Sequence, residues 1–445
     1  MKILLVSLGC DKNLVDSEVM LGTLAEKGYT FTDDESEAEI IIINTCCFIN
    51  DAKEESVNAI LEMAELKKTG RLKALIVTGC LAQRYQKEIR KEIAEVDAVV
   101  GTSAIDKIAE IIEDVMAGKG RELLMPLDRR PSGNRKRIVT TGGHYAYLKI
   151  AEGCDKHCTY CIIPKIRGGY RSVPMEELAA EAEALADEGV KELILVAQET
   201  TLYGMDLYGE KKLPELLTRL CRIPGLYWIR ILYCYPEEIT DDLIRVMGQE
   251  EKICHYLDIP VQHGSDSVLK RMGRKTDSAQ IRGIIKKLRE KIPDICLRTT
   301  LITGFPGETE EDHEILMEFV DEMEFDRLGV FAYSPEEDTA AALMPDQIEE
   351  SVKEERRNAL MELQQEIAYE AAEKMEGKSI YAMIEGKIAD EDAYVARTYK
   401  DAPNVDGYLF IHTDRQLMSG DFVKVRITGS YEYDLIGEIC DEFTE

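Results

Sequence analysis

The sequence predicts an α/β protein with three parts: an N-terminal doubly wound parallel sheet, a central (β/α) barrel that is open or partial, and a small antiparallel C-terminal β-barrel. Short, continuous apolar runs alternate with amphipathic segments through most of the chain, which is typical of parallel strands covered by helices. After about residue 376 the pattern changes to short strands separated by turn residues, which favours a small antiparallel barrel.

Length and charge restrict the classes of function. The chain has 445 residues, which suggests about three domains at roughly 150 residues each. Its formal net charge of -30 argues against a general nucleic-acid binder, because phosphate contacts need Lys and Arg, and suits a basic protein partner. No apolar stretch reaches the roughly 18 residues of a membrane span, and the apolar N-terminus is too short for a secretion signal. We expect a cytoplasmic protein with no membrane partner.

Residues 1–120 form the predicted doubly wound domain. Continuous apolar runs without alternation indicate parallel strands buried on both faces. The predicted strands are 2–8, 39–44, 74–78 and 97–100, and the predicted helices are 16–27, 51–68, 88–93 and a last one that ends at 116.

Cys10, Cys46 and Cys80 follow the first three of these strands. Loops at the carboxyl ends of parallel strands converge on one crevice, so three thiols are expected to meet there. Such a set can hold an iron–sulfur cluster by three of its irons and leave the fourth iron open. Alternatively, each is a buried core cysteine. Cys47 has no equivalent after the other two strands and is interpreted as a spare thiol.

Residues 121–139 contain Pro, Gly and clustered Arg and Lys, and are predicted to be a linker. This is the one basic stretch in an acidic chain. A solvated linker is the simpler interpretation, and the alternative is that its charges face a phosphate or carboxylates of another domain.

Residues 140–345 repeat the strand–helix pattern often enough to form an open or partial TIM-like barrel. The active face of such a barrel is built by the loops that follow the strands. The predicted strands are 145–151, 192–197, 227–232, 256–261, 296–303 and 327–333.

Cys154, Cys158 and Cys161 lie in the loop after the first of these strands. Three thiolates on one short loop can hold a four-iron cluster whose open iron takes a small molecule. A structural zinc site is the alternative. Zinc normally needs four closed ligands, and His157 is the nearest candidate for the fourth.

The CxxxCxxC spacing, with Tyr160 before the last cysteine, resembles the signature of the radical S-adenosylmethionine (SAM) enzymes. The resemblance implies that this cluster binds and cleaves SAM. Polar residues and glycines in the loops after the strands are candidates for holding the cosubstrate. The predicted SAM-binding residues are Tyr160, Gln198, Gln262, Arg298 and Gly304.

The rest of the chain is a connecting helix, 346–375, and a small barrel, 376–445, predicted to bind the substrate. The barrel contains 15 Asp and Glu against 7 Lys and Arg, a net charge of -8. That charge makes nucleic acid a poor ligand for the barrel.

Together these features resemble the methylthiotransferases, and the last barrel resembles their TRAM domain. The branch that modifies an aspartate of ribosomal protein S twelve is the most similar. The stretches that carry the resemblance are SLGCDKNLVDSE (7–18), IAEGCDKHCTYCIIPKIRG (150–168) and DAPNVDG (401–407).

The resemblance implies two 4Fe-4S clusters, one on Cys154, Cys158 and Cys161 and an auxiliary one on Cys10, Cys46 and Cys80. It implies that one SAM supplies a radical, another supplies a methyl group, and a methylthio group is added to the β-carbon of the aspartate. A reducing electron donor is then a required partner. Two alternatives remain: methylthiolation of a transfer-RNA adenosine, and a non-catalytic scaffold whose cysteines hold zinc.

Overall fold

The computed structural model describes residues 1–131 and 136–440. Residues 132–135 of the predicted linker and 441–445 of the predicted C-terminal barrel lie outside the described residues. In the described ranges, no helix is both long enough and apolar enough to cross a lipid bilayer.

The N-terminal domain is a six-stranded sheet in which every neighbouring pair of strands is parallel. The strands are β1 (Lys2–Ser7), β2 (Thr30–Phe31), β3 (Ile40–Thr45), β4 (Ala74–Gly79), β5 (Ala98–Val100) and β6 (Arg121–Leu123), in the spatial order β2-β1-β3-β4-β5-β6. The helices are α1 (Asp11–Glu26), α2 (Asn50–Glu65), α3 (Cys80–Arg84), α4 (Gln86–Glu92) and α5 (Ile108–Met116).

Helices cover both faces of this sheet, which confirms the doubly wound prediction. Every residue of β3 and β4 is buried, and side chains of these strands contribute to a separate apolar cluster on each face. Two details differ from the expectation. Helix α1 begins at Asp11 rather than at residue 16, and β6, which starts the predicted linker, pairs with β5.

The central domain is a second six-stranded parallel sheet that does not close, as expected for an open barrel. Its strands are β7 (Tyr145–Lys149), β10 (Glu192–Val196), β11 (Trp228–Ile231), β12 (Ile253–Asp258), β13 (Cys296–Thr303) and β14 (Arg327–Ala332), in that spatial order, with a short antiparallel pair, β8 (Ala151–Glu152) and β9 (Arg171–Ser172), beside them. Its helices are α6 (Ile163–Arg167), α7 (Met175–Asp187), α8 (Met205–Tyr208), α9 (Leu213–Cys221), α10 (Asp241–Gln249), α11 (Asp266–Arg271), α12 (Ser278–Lys291) and α13 (Glu310–Met323).

A long helix, α14 (Glu350–Glu373), follows the open barrel. Its Leu360 is buried in the main core of the central domain. Gln364 donates a hydrogen bond from Nε2 to the carbonyl oxygen of Phe325 at 2.8 Å. The connecting helix is therefore packed onto the central domain.

The C-terminal domain is a closed five-stranded barrel, as predicted. Its strands are β15 (Ser379–Lys387), β16 (Ala393–Thr398), β17 (Leu409–His412), β18 (Phe422–Tyr431) and β19 (Asp434–Ile439), in the order β15-β16-β17-β19-β18. Four of the five neighbouring pairs are antiparallel, and β17 with β19 is parallel.

A buried ion cluster attaches this barrel to the central sheet. Glu192, at the start of β10, accepts a hydrogen bond from Arg230 Nε at 2.7 Å and one from Arg397 Nη2 at 2.7 Å. All three side chains are almost completely buried. Since Arg397 belongs to β16, a carboxylate shared between two guanidinium groups joins the two domains.

Candidate functional site

The loop that carries Cys154, Cys158 and Cys161 runs from β8 to α6 and is tightly supported. The Cys154 amide donates to the carbonyl of Gly168 at 3.1 Å. A Cβ atom at Gly153, where φ is +80°, would lie 2.1 Å from the carbonyl oxygen of Gly169. Only glycine therefore fits at position 153, where the backbone passes close to the carbonyl oxygen of Gly169 and turns into the cysteine loop.

The turn after α11 supports the other side of this loop. The amide of Thr159 donates to the Met272 carbonyl at 2.9 Å, and its hydroxyl donates to the Arg271 carbonyl at 2.9 Å. His157, the candidate fourth zinc ligand, is exposed. The loop thus has a fixed backbone while its thiols stay inside.

Burial determines the electrostatics of these thiols. Burial is the main cause, and a nearby Cys158 thiolate a smaller one, of a raised pKa of about 11 at Cys154 and about 12 at Cys161. The three thiols are therefore close enough to influence one another. The thiols of Cys154 and Cys161 therefore stay protonated in the metal-free protein at neutral pH, so binding of metal must release their protons.

Cys10, Cys46 and Cys80 meet at the carboxyl edge of the first sheet, as their positions predict. A Cβ atom at Gly9 would lie 2.8 Å from Sγ of Cys46, which places the turn before Cys10 directly against that thiol. Burial raises the pKa of Cys80 to about 12, and Arg167 is the main opposing charge. Cys46 and Cys10 both raise the pKa of Cys80, so this set is also mutually close.

Arg167 joins the two domains that carry the cysteine sets. It belongs to α6, directly after the Cys154 loop, and is 2% exposed. Nη1 donates to Asp16 at 2.8 Å and to Glu152 at 3.0 Å, while Nη2 donates to Asn13 Oδ1. The same Asn13 oxygen is 3.9 Å from Sγ of Cys80. One buried guanidinium therefore connects the two domains beside the auxiliary thiols.

The two thiol sets fit iron–sulfur clusters. In the part of the chain that the structure describes, no three side chains of His, Cys, Asp or Glu converge on a point where they could hold one metal ion. A four-iron cluster does not need such convergence, because each thiolate binds a different iron. Three mutually close thiols, with the glycine turns at Gly153 and Gly9 beside them, match that requirement.

Three of the five predicted SAM-binding residues lie near the cysteine loop or at the adjoining strand ends. The aromatic ring of Tyr160 packs edge-on against Phe305, with ring centroids 6.4 Å apart. Gln198 accepts from the Gly153 amide at 2.8 Å and donates to Glu152 at 2.8 Å, so it holds the start of the loop. Gln262 has φ of +74° and a buried Oε1 without a hydrogen-bond partner, both of which suit a ligand contact.

The other two have structural partners. Arg298, the third residue of β13, donates to Asp406 of the C-terminal barrel at 3.3 Å and to Asp258 at 3.4 Å. A Cβ atom at Gly304 would lie 2.3 Å from Cγ of Lys353, so the glycine makes room for α14. Both residues therefore contribute to packing against later parts of the chain, and their contacts with SAM stay predictions.

A buried acid at the site is absent from the five predicted SAM-binding residues. Glu199 is completely buried, its Oε2 has no hydrogen-bond partner, and Nζ of Lys156 lies 3.5 Å from that oxygen. Burial raises the pKa of Glu199 to about 7. The position of Glu199 after β10, next to Gln198, was a sequence signal for a site residue. Its burial depends on tertiary packing and could not be predicted from the sequence.

Arg137, from the predicted linker, is buried as well. It donates to Glu18 at 2.8 Å and to Glu181 at 2.6 Å, which belong to the first and second domains. Carboxylates of other domains therefore pair with this linker charge, as the alternative interpretation proposed.

Three family descriptions match consecutive parts of the chain. Residues 2–101 match the uncharacterized protein family UPF0004, residues 148–320 match the radical SAM superfamily, and residues 377–440 match the TRAM domain. These ranges coincide with the parallel sheet, the open barrel and the closed barrel.

Solved structures agree with this fold. The radical S-adenosylmethionine methyltransferase TsrM from Kitasatospora setae, with cobalamin and a 4Fe-4S cluster bound, is 14% identical with a TM-score of 0.56 and covers 77% of each chain. The same enzyme with tryptophan substrate and a SAM analogue has 14% identity and a TM-score of 0.53, and covers 74% of this chain and 72% of its own. At this identity the similarity concerns the fold alone.

Curated relatives are much more similar and share one name, ribosomal protein uS12 methylthiotransferase RimO. The protein of Lachnoclostridium phytofermentans is 64% identical over 98% of this chain and 99% of the relative. Those of Acetivibrio thermocellus and Clostridioides difficile are 51% and 49% identical, each over 99% of both chains. With this identity over nearly the full length, the chain belongs to the family of ribosomal protein uS12 methylthiotransferases.

Proposed function

We propose that the protein is a radical SAM enzyme that adds a methylthio group to the β-carbon of an aspartate in uS12, ribosomal protein S twelve. The observation that carries this proposal is the pair of three-thiol sets, one in each of two domains, joined through Arg167. Full-length membership in the uS12 methylthiotransferase family supports the choice of reaction and substrate.

We assign the SAM-binding cluster to Cys154, Cys158 and Cys161, and the auxiliary cluster to Cys10, Cys46 and Cys80. When bound, the clusters supply the electron that cleaves SAM and the site that carries the sulfur to be transferred. An unactivated β-carbon has no acidic proton, so a radical route is needed where acid–base chemistry fails. Arg167 joins the two domains beside the crevice of the auxiliary thiols, where Cys46 and Cys80 are buried and Cys10 is exposed.

The target aspartate brings a carboxylate into this crevice and needs a cation there. Lys12 is two residues from Cys10 and is 6% exposed. Its Nζ lies 3.1 Å from Asp11 Oδ1 and 3.4 Å from the centroid of the Tyr233 ring. We assign to Lys12 the contact with the substrate carboxylate, which would orient the β-carbon toward the auxiliary cluster.

Charge supports a basic protein as partner. The chain carries a net charge of -30, and residues 376–445 alone carry -8. Ribosomal proteins are strongly basic, so long-range attraction favours encounter with uS12 over nucleic acid. The reaction also requires an external electron donor, and uS12 locates the enzyme with the ribosomes of the cytoplasm.

Incubation of the anaerobically reconstituted protein with SAM, sulfide and a reductant tests the substrate. Purified uS12 should gain a methylthio group on one aspartate, and transfer RNA in a parallel reaction should gain none. Methylthiolation of a transfer-RNA adenosine with unmodified uS12 would establish the alternative substrate. Steep salt dependence of transfer-RNA binding would agree with that outcome.

Iron and sulfide analysis tests the two assigned sites. The wild-type chain should hold about eight irons and a similar number of sulfides. Replacing either set of three cysteines by Ala should leave about four irons, because the other set is on a different domain. One or two zinc ions without sulfide would instead indicate the non-catalytic scaffold.

A further inference from the structure

Arg274 is a buried cation with unused hydrogen-bond donors. It lies three residues after the end of α11 and is 9% exposed. Its Nη2 donates to the Pro260 carbonyl at 2.9 Å, and its guanidinium stacks over the Tyr235 ring, 4.4 Å from the centroid. Nε and Nη1 are buried and have no hydrogen-bond partner. Burying an N–H group without an acceptor costs free energy, so these two N–H groups are available to donate to a bound acceptor.

The preceding residues place Arg274 against the Cys154 loop. The Thr159 amide, one residue after Cys158, bonds to the Met272 carbonyl at 2.9 Å. A Cβ atom at Gly273 would lie 3.4 Å from Cγ2 of Thr159. Burial raises the pKa of the Cys161 thiol, and the positive charge of Arg274 acts in the opposite direction. The guanidinium is therefore close to the ligand thiols.

Arg274 has no ion-pair partner within the described part of the chain. Across residues 1–131 and 136–440, no carboxylate lies within ion-pair distance of its guanidinium, whereas Arg167 has two. The nearby Glu237 is already engaged by Thr276 at 2.6 Å and by Lys156 at 3.1 Å. A buried cation is tolerated when an anion accompanies it. Three thiolates with a four-iron cluster carry net negative charge and supply that anion.

We propose that the free Nε–H and Nη1–H groups of Arg274 donate hydrogen bonds to sulfur atoms of the cluster on Cys154, Cys158 and Cys161. The inference rests on the proposed function, since it requires that cluster. The cation stabilises the reduced cluster more than the oxidised one, because reduction adds a negative charge. Arg274 thereby makes the cluster easier to reduce for SAM cleavage.

A redox titration followed by electron paramagnetic resonance tests this role. Full-length protein with Cys10, Cys46 and Cys80 changed to Ala holds only the SAM-site cluster, so a single midpoint potential is measured. In this background Arg274→Met should shift the potential to more negative values, and Arg274→Lys, which keeps the charge with different donor geometry, should shift it less. Arg282 on α12 forms a surface ion pair with Glu322 on α13, and Arg282→Met should leave the potential unchanged.

Iron content and SAM affinity, measured on the same samples, separate the outcomes. If Arg274→Met loses the cluster, the midpoint potential of Arg274→Lys, measured on protein with full iron content, still tests the inference. An unchanged potential in both variants would overturn the inference. An unchanged potential with weakened SAM binding would also overturn it, because the donors would then serve the carboxylate of SAM. Absence of iron in the wild-type protein would instead refute the proposed function.

Discussion

Replacing Arg167 by Met should weaken both the junction between the first two domains and the auxiliary site. Arg167 is almost fully buried and pairs with Asp16 and Glu152 at 2.8 and 3.0 Å. Methionine has a similar length and no charge, so the substitution leaves both carboxylates with a missing partner. It also removes the cation that acts on Cys80.

The expected loss of stability follows from these contacts. Removing one partner of a buried ion pair costs about 3–5 kcal/mol, because the other charge stays buried without compensation. Lys149 remains beside the same two carboxylates, at 2.9 Å from Glu152. We therefore expect a value at the lower end, about 3 kcal/mol. Arg167→Lys should cost less, since it keeps the charge but not the forked geometry.

Urea unfolding of the metal-free protein measures the free energy of unfolding, and iron analysis after reconstitution measures the auxiliary site. Arg167→Met should lower the free energy of unfolding by about 3 kcal/mol. The variant should also lose preferentially the iron bound by Cys10, Cys46 and Cys80. Arg245→Met is the matched control, because Arg245 forms an exposed ion pair with Asp242 and should change stability by less than about 0.5 kcal/mol. Equal stability and iron content in the Arg167 and Arg245 variants would refute this account of the junction.

Three further substitutions test other parts of the site. Burial raises the pKa of Glu199 from 4.5 to about 7, so the stability that Glu199 contributes is present below pH 4.5 and is lost as the pH rises through 7. In urea unfolding of the metal-free protein, the free energy of unfolding should therefore decline by about 3 kcal/mol over that range, and Glu199→Gln should remove this decline. Identical pH profiles of the wild type and the variant would contradict the assignment. Glu192→Gln should leave Arg230 and Arg397 without a shared anion, cost roughly 3–5 kcal/mol and expose the C-terminal barrel to limited proteolysis, while an unchanged cleavage pattern would show that other contacts suffice. Lys12→Met should lower kcat/KM for uS12 roughly ten- to hundredfold with normal iron content, and a wild-type value would exclude Lys12 from substrate binding.

Backbone architecture was largely predictable because burial on both faces imposes a continuous apolar pattern on parallel strands. Residues 39–44 and 74–78 were identified as strands for this reason, and β3 and β4 occupy nearly the same ranges. The start of α1 was not identified, because Lys12 and Asn13 are polar. Both are buried through distant partners, Lys12 at Tyr233 and Asn13 at the Thr45 carbonyl.

The thiol sets were predictable and their surroundings were not. The Cys154 loop is local in sequence, and strand topology brings Cys10, Cys46 and Cys80 to one edge of the sheet. Side-chain partners across domains follow no sequence period. Arg167 meets Asp16 across 151 positions, and Arg298 donates to Asp406 across 108 positions. The unused donors of Arg274 likewise depend on tertiary packing, which buries Nε and Nη1 without an acceptor.

Mass spectrometry of uS12 from cells that lack this gene tests the central claim most directly. The target peptide should lose its methylthio mass increase, and a plasmid copy of the wild-type gene should restore it. Copies with Cys154, Cys158 and Cys161, or with Cys10, Cys46 and Cys80, changed to Ala should not restore it, because both clusters are required. An unchanged uS12 peptide in the deletion strain, with a methylthio group missing from a transfer-RNA nucleoside instead, would contradict the account.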